Sequence, residues 1–163
     1  MNSPFDDHIS ADKPKLFEKV DSGARSTPVI YLLWGDGVKI LERQAERTRV
    51  RARNREGWVD NTSLGGTSLM EYYFIDVGQG DGVLIKTPDF RHILIDGGWP
   101  RRNQDTGKNA ADFVDWKFKK DYGMNAIELE AMVCSHNDQH HYGGLWDMLN
   151  TDRIAGSIAP RSS

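Results

Sequence analysis

The chain has 163 residues and a mass of 18.5 kDa, room for one domain or one and a half at the usual ~100–200 residues each. Hydrophobic residues make up 38%, aromatic residues 10%, and the net charge is −3, which argues against disorder throughout; the lack of any apolar run of ~18 residues excludes a membrane-spanning helix. The single cysteine, Cys134, cannot form an internal bridge, and the first ten residues show neither a basic n-region nor an apolar h-region. The sequence therefore reads as cytoplasmic, with no membrane partner.

The small net charge conceals a division. Residues 1–68 carry 11 Lys/Arg against 10 Asp/Glu, whereas residues 69–163 carry 10 against 14. The acidic second part is not by itself an electrostatic trap for nucleic acid. Residues 1–28 are polar and punctuated by Pro4, Pro14 and Pro28, with Leu16, Phe17 and Val20 as the apolar side chains of one helical turn. This stretch is predicted to be a mobile leader. Residues 29–66 alternate short β-rich runs with turns at Trp34-Gly35-Asp36-Gly37 and Asn54-Arg55-Glu56-Gly57, the pattern of a small β-barrel. Within it Arg47, Arg49, Arg51 and Arg53 fall at alternate positions, so that a strand would project them from one face. They form either a phosphate-contacting stripe for a polyanion or a solvated face that blunts a sheet edge, with Glu42, Glu46 and Glu56 near enough to neutralise part of it. Trp34 and Trp58 read as core or groove residues.

Gly65-Gly66-Thr67-Ser68 is the expected joint between domains. After it, strands are predicted over 72–75, 83–85 and 92–95, the last ending in Asp96-Gly97-Gly98. A polar loop covers 99–107, and a helix runs from Lys108 to Tyr122 with Ala110, Phe113, Val114 and Phe118 on its apolar side. Ala131–Cys134 reads as a short buried strand that runs into Ser135-His136-Asn137-Asp138-Gln139-His140-His141-Tyr142-Gly143-Gly144, with a further helix from Leu145. Three of the five histidines lie within six residues, beside an aspartate. Imidazole and carboxylate are the usual ligands of zinc and related divalent ions. Their spacing is too tight for one helix face, so a loop is expected to gather them.

Two resemblances follow from these motifs. LLWGDGVKILE and RVRARNREGWV resemble bacterial Src-homology-3-like domains, over roughly 35 residues. FIDVGQGDGVLIKTP, ILIDGG and SHNDQHHYGGL resemble the metallo-β-lactamase-fold hydrolases, in the branch found in DNA-uptake competence proteins. The implied fold is mixed α/β: a barrel over 29–66, then the first half of an αββα sandwich over 69–163. The implied activity is metal-dependent hydrolysis, directed at a phosphodiester or nucleic-acid substrate, with one or two Zn²⁺ ions (or Mn²⁺) activating a water. Carried over by position, His136, Asp138, His140 and His141 are the metal ligands, and Asp138 and His140 the catalytic groups. His140 stands where the family pattern has Asp, so His and Asp look exchanged between 138 and 140, and a neutral imidazole cannot offer a carboxylate's charge. Asp96 would hydrogen-bond and orient the metal loop. Asp81 and Gln79 lie in the loop that the family holds near the metal, where a turn role is an equal alternative. A complete sandwich needs about twice the length that follows Ser68, and no histidine follows His141. The expectation is a truncated or split protein, inactive alone, completed by a second half or a second chain. The competing expectation is a non-catalytic remnant that binds a partner through the barrel.

Overall fold

The polar opening stretch, expected as a mobile leader with one helical turn, carries two short strands, one in the first sheet and one in a separate two-stranded ladder. The computed structural model describes residues 3–23 and 25–150. Its strands begin with β1 (Asp7–His8), β2 (Lys15–Leu16), β3 (Ile30–Tyr31), β4 (Gly37–Arg43), β5 (Arg47–Ala52) and β6 (Arg55–Asp60). One sheet has the order β1-β4-β5-β6, and β2 pairs with β3 in a two-stranded ladder. Single bridges join Ile9 to Leu64 and Phe17 to Trp58. These strands are too short to leave a periodic apolar signature, which is why the sequence reads as leader. Yet Ile9 and Leu16 are fully buried with Leu32, Val38, Val50, Ala52 and Val59, and Phe17 exchanges two backbone hydrogen bonds with Trp58, at 2.8 and 2.7 Å.

In β5 the inward side chains are Thr48, Val50 and Ala52, as the two-residue period requires. The hairpin to β6 turns at Arg53-Asn54, both with positive φ, 47° and 58°. That is the backbone of a two-residue loop matching the strand twist. The turn lies one residue earlier than expected, and Arg53 leaves the strand. Trp58 is buried, whereas Trp34 is exposed.

The remaining elements are β7 (Glu71–Phe74), β8 (Val83–Lys86), β9 (His92–Ile95), α1 (Ala110–Trp116), β10 (Ala131–Val133) and α2 (Gln139–Leu149). Asn109 caps α1 through a reciprocal capping box with Asp112, and a π-helical turn, Lys117–Asp121, continues it. The sheet order is β10-β9-β8-β7. Only β9 and β10 are parallel, and the connection between them carries α1, as a parallel pair requires. α1 packs against α2. β10 is the sheet's edge and Val133 is exposed, so the expected buried strand is half-open. The register puts Tyr72, Ile85, Ile93 and Ala131 in one cross-strand row and Phe74, Val83, Ile95 and Val133 in another on the same face. Leu84, Lys86, His92 and Leu94 occupy the opposite, buried face.

The fold is thus mixed α+β, with several sheets and two α-helices among the described residues. The described residues divide into two compact units, one of residues up to Leu69 with Asp121–Gly123, the other of Met70–Lys120 with 124–150. The end of the expected second domain, 151–163, lies outside the described residues. No helix among them is long and apolar enough to cross a membrane.

Candidate metal centre

Parallel strands β9 and β10 end side by side, and their C-terminal ends build the site. Asp96 follows β9 with φ 54°, a left-handed conformation that Asp tolerates better than most residues. That turn brings the carboxylate beside the start of the next loop. Asp96 accepts from the Ser135 backbone N–H at 2.8 Å, the Ser135 hydroxyl at 2.6 Å and His141 Nδ1 at 2.9 Å. Burial works to raise the carboxyl's pKa. The Ser135 and His141 hydrogen bonds outweigh it and hold the group below the ordinary carboxylate value. A hydrogen bond from His141 to this carboxylate uses Nδ1, so Nε2 is the ring nitrogen left over for a ligand.

Two glycine pairs make this approach possible. Gly97 N–H donates to His141 O at 2.7 Å, and Gly144 N–H donates to Gly98 O at 3.0 Å. A Cβ on Gly144 would stand 1.9 Å from Gly97 O, and one on Gly97 would stand 2.6 Å from Leu145 N. Any side chain there would push α2 off the end of β9. Gly80 plays the same part for the loop after β7, since its Cβ would fall 1.9 Å from His140 O.

The predicted loop is in part a helix. Asp138 is the N-cap of α2, and His140 and His141 sit in its first turn. The Tyr-Gly-Gly run lies inside the helix, where small residues permit the close packing just described. His136 precedes the helix and completes the group. Ring centroids lie 3.7 Å apart for His136–His141, 4.4 Å for His140–His141 and 6.0 Å for His136–His140. One ligand atom from each lies within 4.8 Å of the others, and Asp81, Asp96 and His141 form a second such group. The two groups differ in readiness. Asp96 already accepts three hydrogen bonds, so the second is first of all a hydrogen-bonded network. The three imidazoles are a borderline-soft nitrogen set of the kind zinc takes.

Other predicted site residues fall around this point unevenly. Asp138 is exposed and lies 3.5 Å from His136 Nε2, outside the triad of rings. Asp81 is exposed, 3.9 Å from His141 Nδ1, and Gln79 is exposed in the same loop. The arginine row carries acids beside it. Arg47 pairs with Asp60 at 2.8 Å, Arg49 with Glu56 at 2.9 Å and Arg53 with Asp36 at 2.8 Å. Arg47 also stacks on Phe17 and lines a cleft that it shares with Asp21, Glu46 and Asp60. Arg51 lies against Gly123. The row is thus a neutralised face more than an open cationic stripe.

Sequence reasoning missed Ser135, whose backbone and hydroxyl both serve Asp96. It also missed the network behind the site, in which buried Asp147 accepts from Arg101 N–H at 2.7 Å and Asn109 at 2.8 Å. The Trp99 ring, 5.8 Å from His140, was not singled out either. The paired glycines at 97–98 and 143–144 were the available signal, because two Gly-Gly runs flanking a strand end and a histidine cluster mark a close backbone approach. Comparison with protein-family models, with curated proteins and with solved structures returns no match.

Proposed function

We propose that the chain belongs to a metal-dependent hydrolase lineage that acts on phosphodiesters, with the metallo-β-lactamase fold as the parent of its second unit and a Src-homology-3-like domain as the first. One observation carries this reading: three imidazoles offer nitrogens within 4.8 Å of one another, at the ends of two parallel strands, with one ring fixed by a buried carboxylate. His136, His140 and His141 would hold Zn²⁺ or Mn²⁺. When bound, such an ion acts as a Lewis acid and lowers the pKa of water from 15.7 toward roughly 7. Asp96 keeps His141 in its ligating tautomer, and Ser135 keeps Asp96 ionised and aimed. Asp138 beside His136 is placed to accept a proton near the centre. On this reading the apolar sheet face of Tyr72, Phe74 and Val133, all exposed, seats the sandwich's other layer, supplied by a second half or a second chain.

The test is metal content. The dialysed chain should retain zinc, and the double variant His136→Ala/His141→Ala should retain less than ~0.1 equivalent. Equal zinc in both proteins overturns the reading. Metal-dependent cleavage of bis(p-nitrophenyl) phosphate, lost in the same variant, would carry it to an activity.

A second reading is an interaction module. Val29, Tyr31 and Leu33 project outward at alternate positions beside exposed Trp34, a row suited to a partner's apolar segment. Binding retained by residues 1–69 and lost in Trp34→Ala would favour it.

A further inference from the structure

β7 is an edge of its sheet, since the order β10-β9-β8-β7 leaves no described strand beyond it. Its register with β8 sets Glu71 opposite Lys86 and Tyr73 opposite Leu84, and Ile75 N–H donates to Gly82 O at 2.8 Å. Successive residues of an antiparallel strand bond to opposite sides, so Glu71, Tyr73 and Ile75 turn their backbone groups to β8. The N–H and C=O of Tyr72 and Phe74 therefore point away from the sheet, with no ladder partner among the described residues. Their side chains are apolar and open: Tyr72 is 55% exposed and Phe74 82%. An edge of this kind is normally blunted by a lysine, a proline or a bulge. From Met70 to Asp76 the chain has no lysine or proline, and the register of β7 with β8 is unbroken.

The strand is complementary to a second copy of itself. Run antiparallel about a two-fold axis at Tyr73, it sets Tyr72 of each copy opposite Phe74 of the other. These are the outward-bonding positions, so their N–H and C=O groups close a ladder with none left over. The cross-strand pairs on the open face are then aromatic on both sides, a favourable combination. Glu71 falls opposite Ile75 and Asp76 opposite Met70, so neither carboxylate meets its own copy. A cleft of about 610 Å³ beside this edge, walled by Phe74, Ile75, Phe113 and Trp116, gives room for the added strand's side chains. It offers no single sign of charge to select a foreign peptide, because Lys108 stands there beside Asp76 and Asp112.

We infer that two copies of this chain associate by antiparallel pairing of β7 with β7, an isologous two-fold contact that joins two four-stranded sheets into one. The contact uses the edge of the sheet and leaves its face open to another layer. It therefore rests neither on the metal centre nor on a missing half.

Sedimentation equilibrium of the full chain reads the association. The mass should rise from 18.5 kDa toward twice that value as the concentration approaches ~100 µM. Phe74→Lys, which places a charge on the edge, should weaken the dimer at least ~10-fold. Tyr72→Pro and Tyr72→Ala both remove the ring, but only proline removes the outward N–H, and it leaves the ladder to β8 intact. Proline should therefore weaken the dimer at least ~10-fold more than alanine, since each copy loses a hydrogen bond. Val133 lies on the opposite edge and the same face, and Val133→Lys should leave association unchanged. Circular dichroism checks the fold of each variant, and Phe74→Lys decides the matter if proline disturbs the strand. A mass of 18.5 kDa at ~100 µM, or a dimer indifferent to Phe74→Lys, overturns the inference. Equal effects of proline and alanine at Tyr72, or a dimer lost in Val133→Lys, overturn it too, because they mark a contact through the face of the sheet.

Discussion

The two units bury polar groups to different extents. Among the described residues of the first unit the core is mostly aliphatic, with Phe17 and Trp58, and the polar residues buried with it are the hydroxyl bearers Thr48 and Ser63 and one carboxylate, Asp121. Charges there lie mostly toward solvent in pairs such as Arg49–Glu56 and Lys39–Asp6. The second unit buries Lys86, His92, Asp96, Lys117, His141 and Asp147. Burying ionisable groups costs free energy unless each is partnered, and here they are held in networks: Lys86 with Glu71 at 2.6 Å, Asp96 with Ser135 and His141, and Asp147 with Arg101 and Asn109. The first unit has the makeup of a scaffold. The second carries the groups that chemistry needs, which is where perturbed ionisation tends to mark function.

Mutations can break this contrast. The largest loss of stability is expected from Leu16→Ala in the first unit, ~2–5 kcal/mol as for other fully buried leucines, with zinc content per folded molecule unchanged. Denaturant unfolding followed by metal analysis reads both. In the second unit, Asp96→Ala should cost ~1–3 kcal/mol by orphaning the Ser135 donors and should weaken zinc binding by ~10–100-fold through the freed His141 ring. A chelator competition that finds wild-type affinity in that variant would remove Asp96 from the site.

The pH dependence sharpens the comparison further. Burial, then Lys86 and Lys117, push His92 from its ordinary 6.5 down to about 4. Between those values the unfolded chain takes up a proton that the folded protein refuses. Stability should therefore fall as pH drops from 6.5 toward 4, with a slope of up to ~1.4 kcal/mol per pH unit. His92→Gln should flatten thermal melting over that window. Asp96, held below its ordinary value of 3.8, contributes stability above that pH and loses it only on further acidification, so the two effects separate. The smallest effect is expected at the surface. Arg49→Gln breaks a pair whose side chains are both nearly half exposed and should change stability by ~0–1 kcal/mol.

The sequence alone determined much of the local structure. The alternation at 47–52, the apolar runs at 72–75, 83–85 and 92–95, and the helix beginning near Ala110 all follow from side-chain period and capping, which act over a few residues. It also marked the histidine-rich segment as the place of interest. Tertiary structure decided what no local rule could. Residues 7–9 and 15–17 joined sheet ladders because distant partners, Val38 and Trp58 among them, satisfy their backbone. His140 and His141 entered a helix because Gly97, Gly98, Gly143 and Gly144 let two backbones meet. Asp96 and Ser135, 39 positions apart, became one network only when β9 and β10 ended side by side. Period and capping are properties of neighbours along the chain, whereas ligand sets and buried hydrogen bonds are properties of neighbours in space.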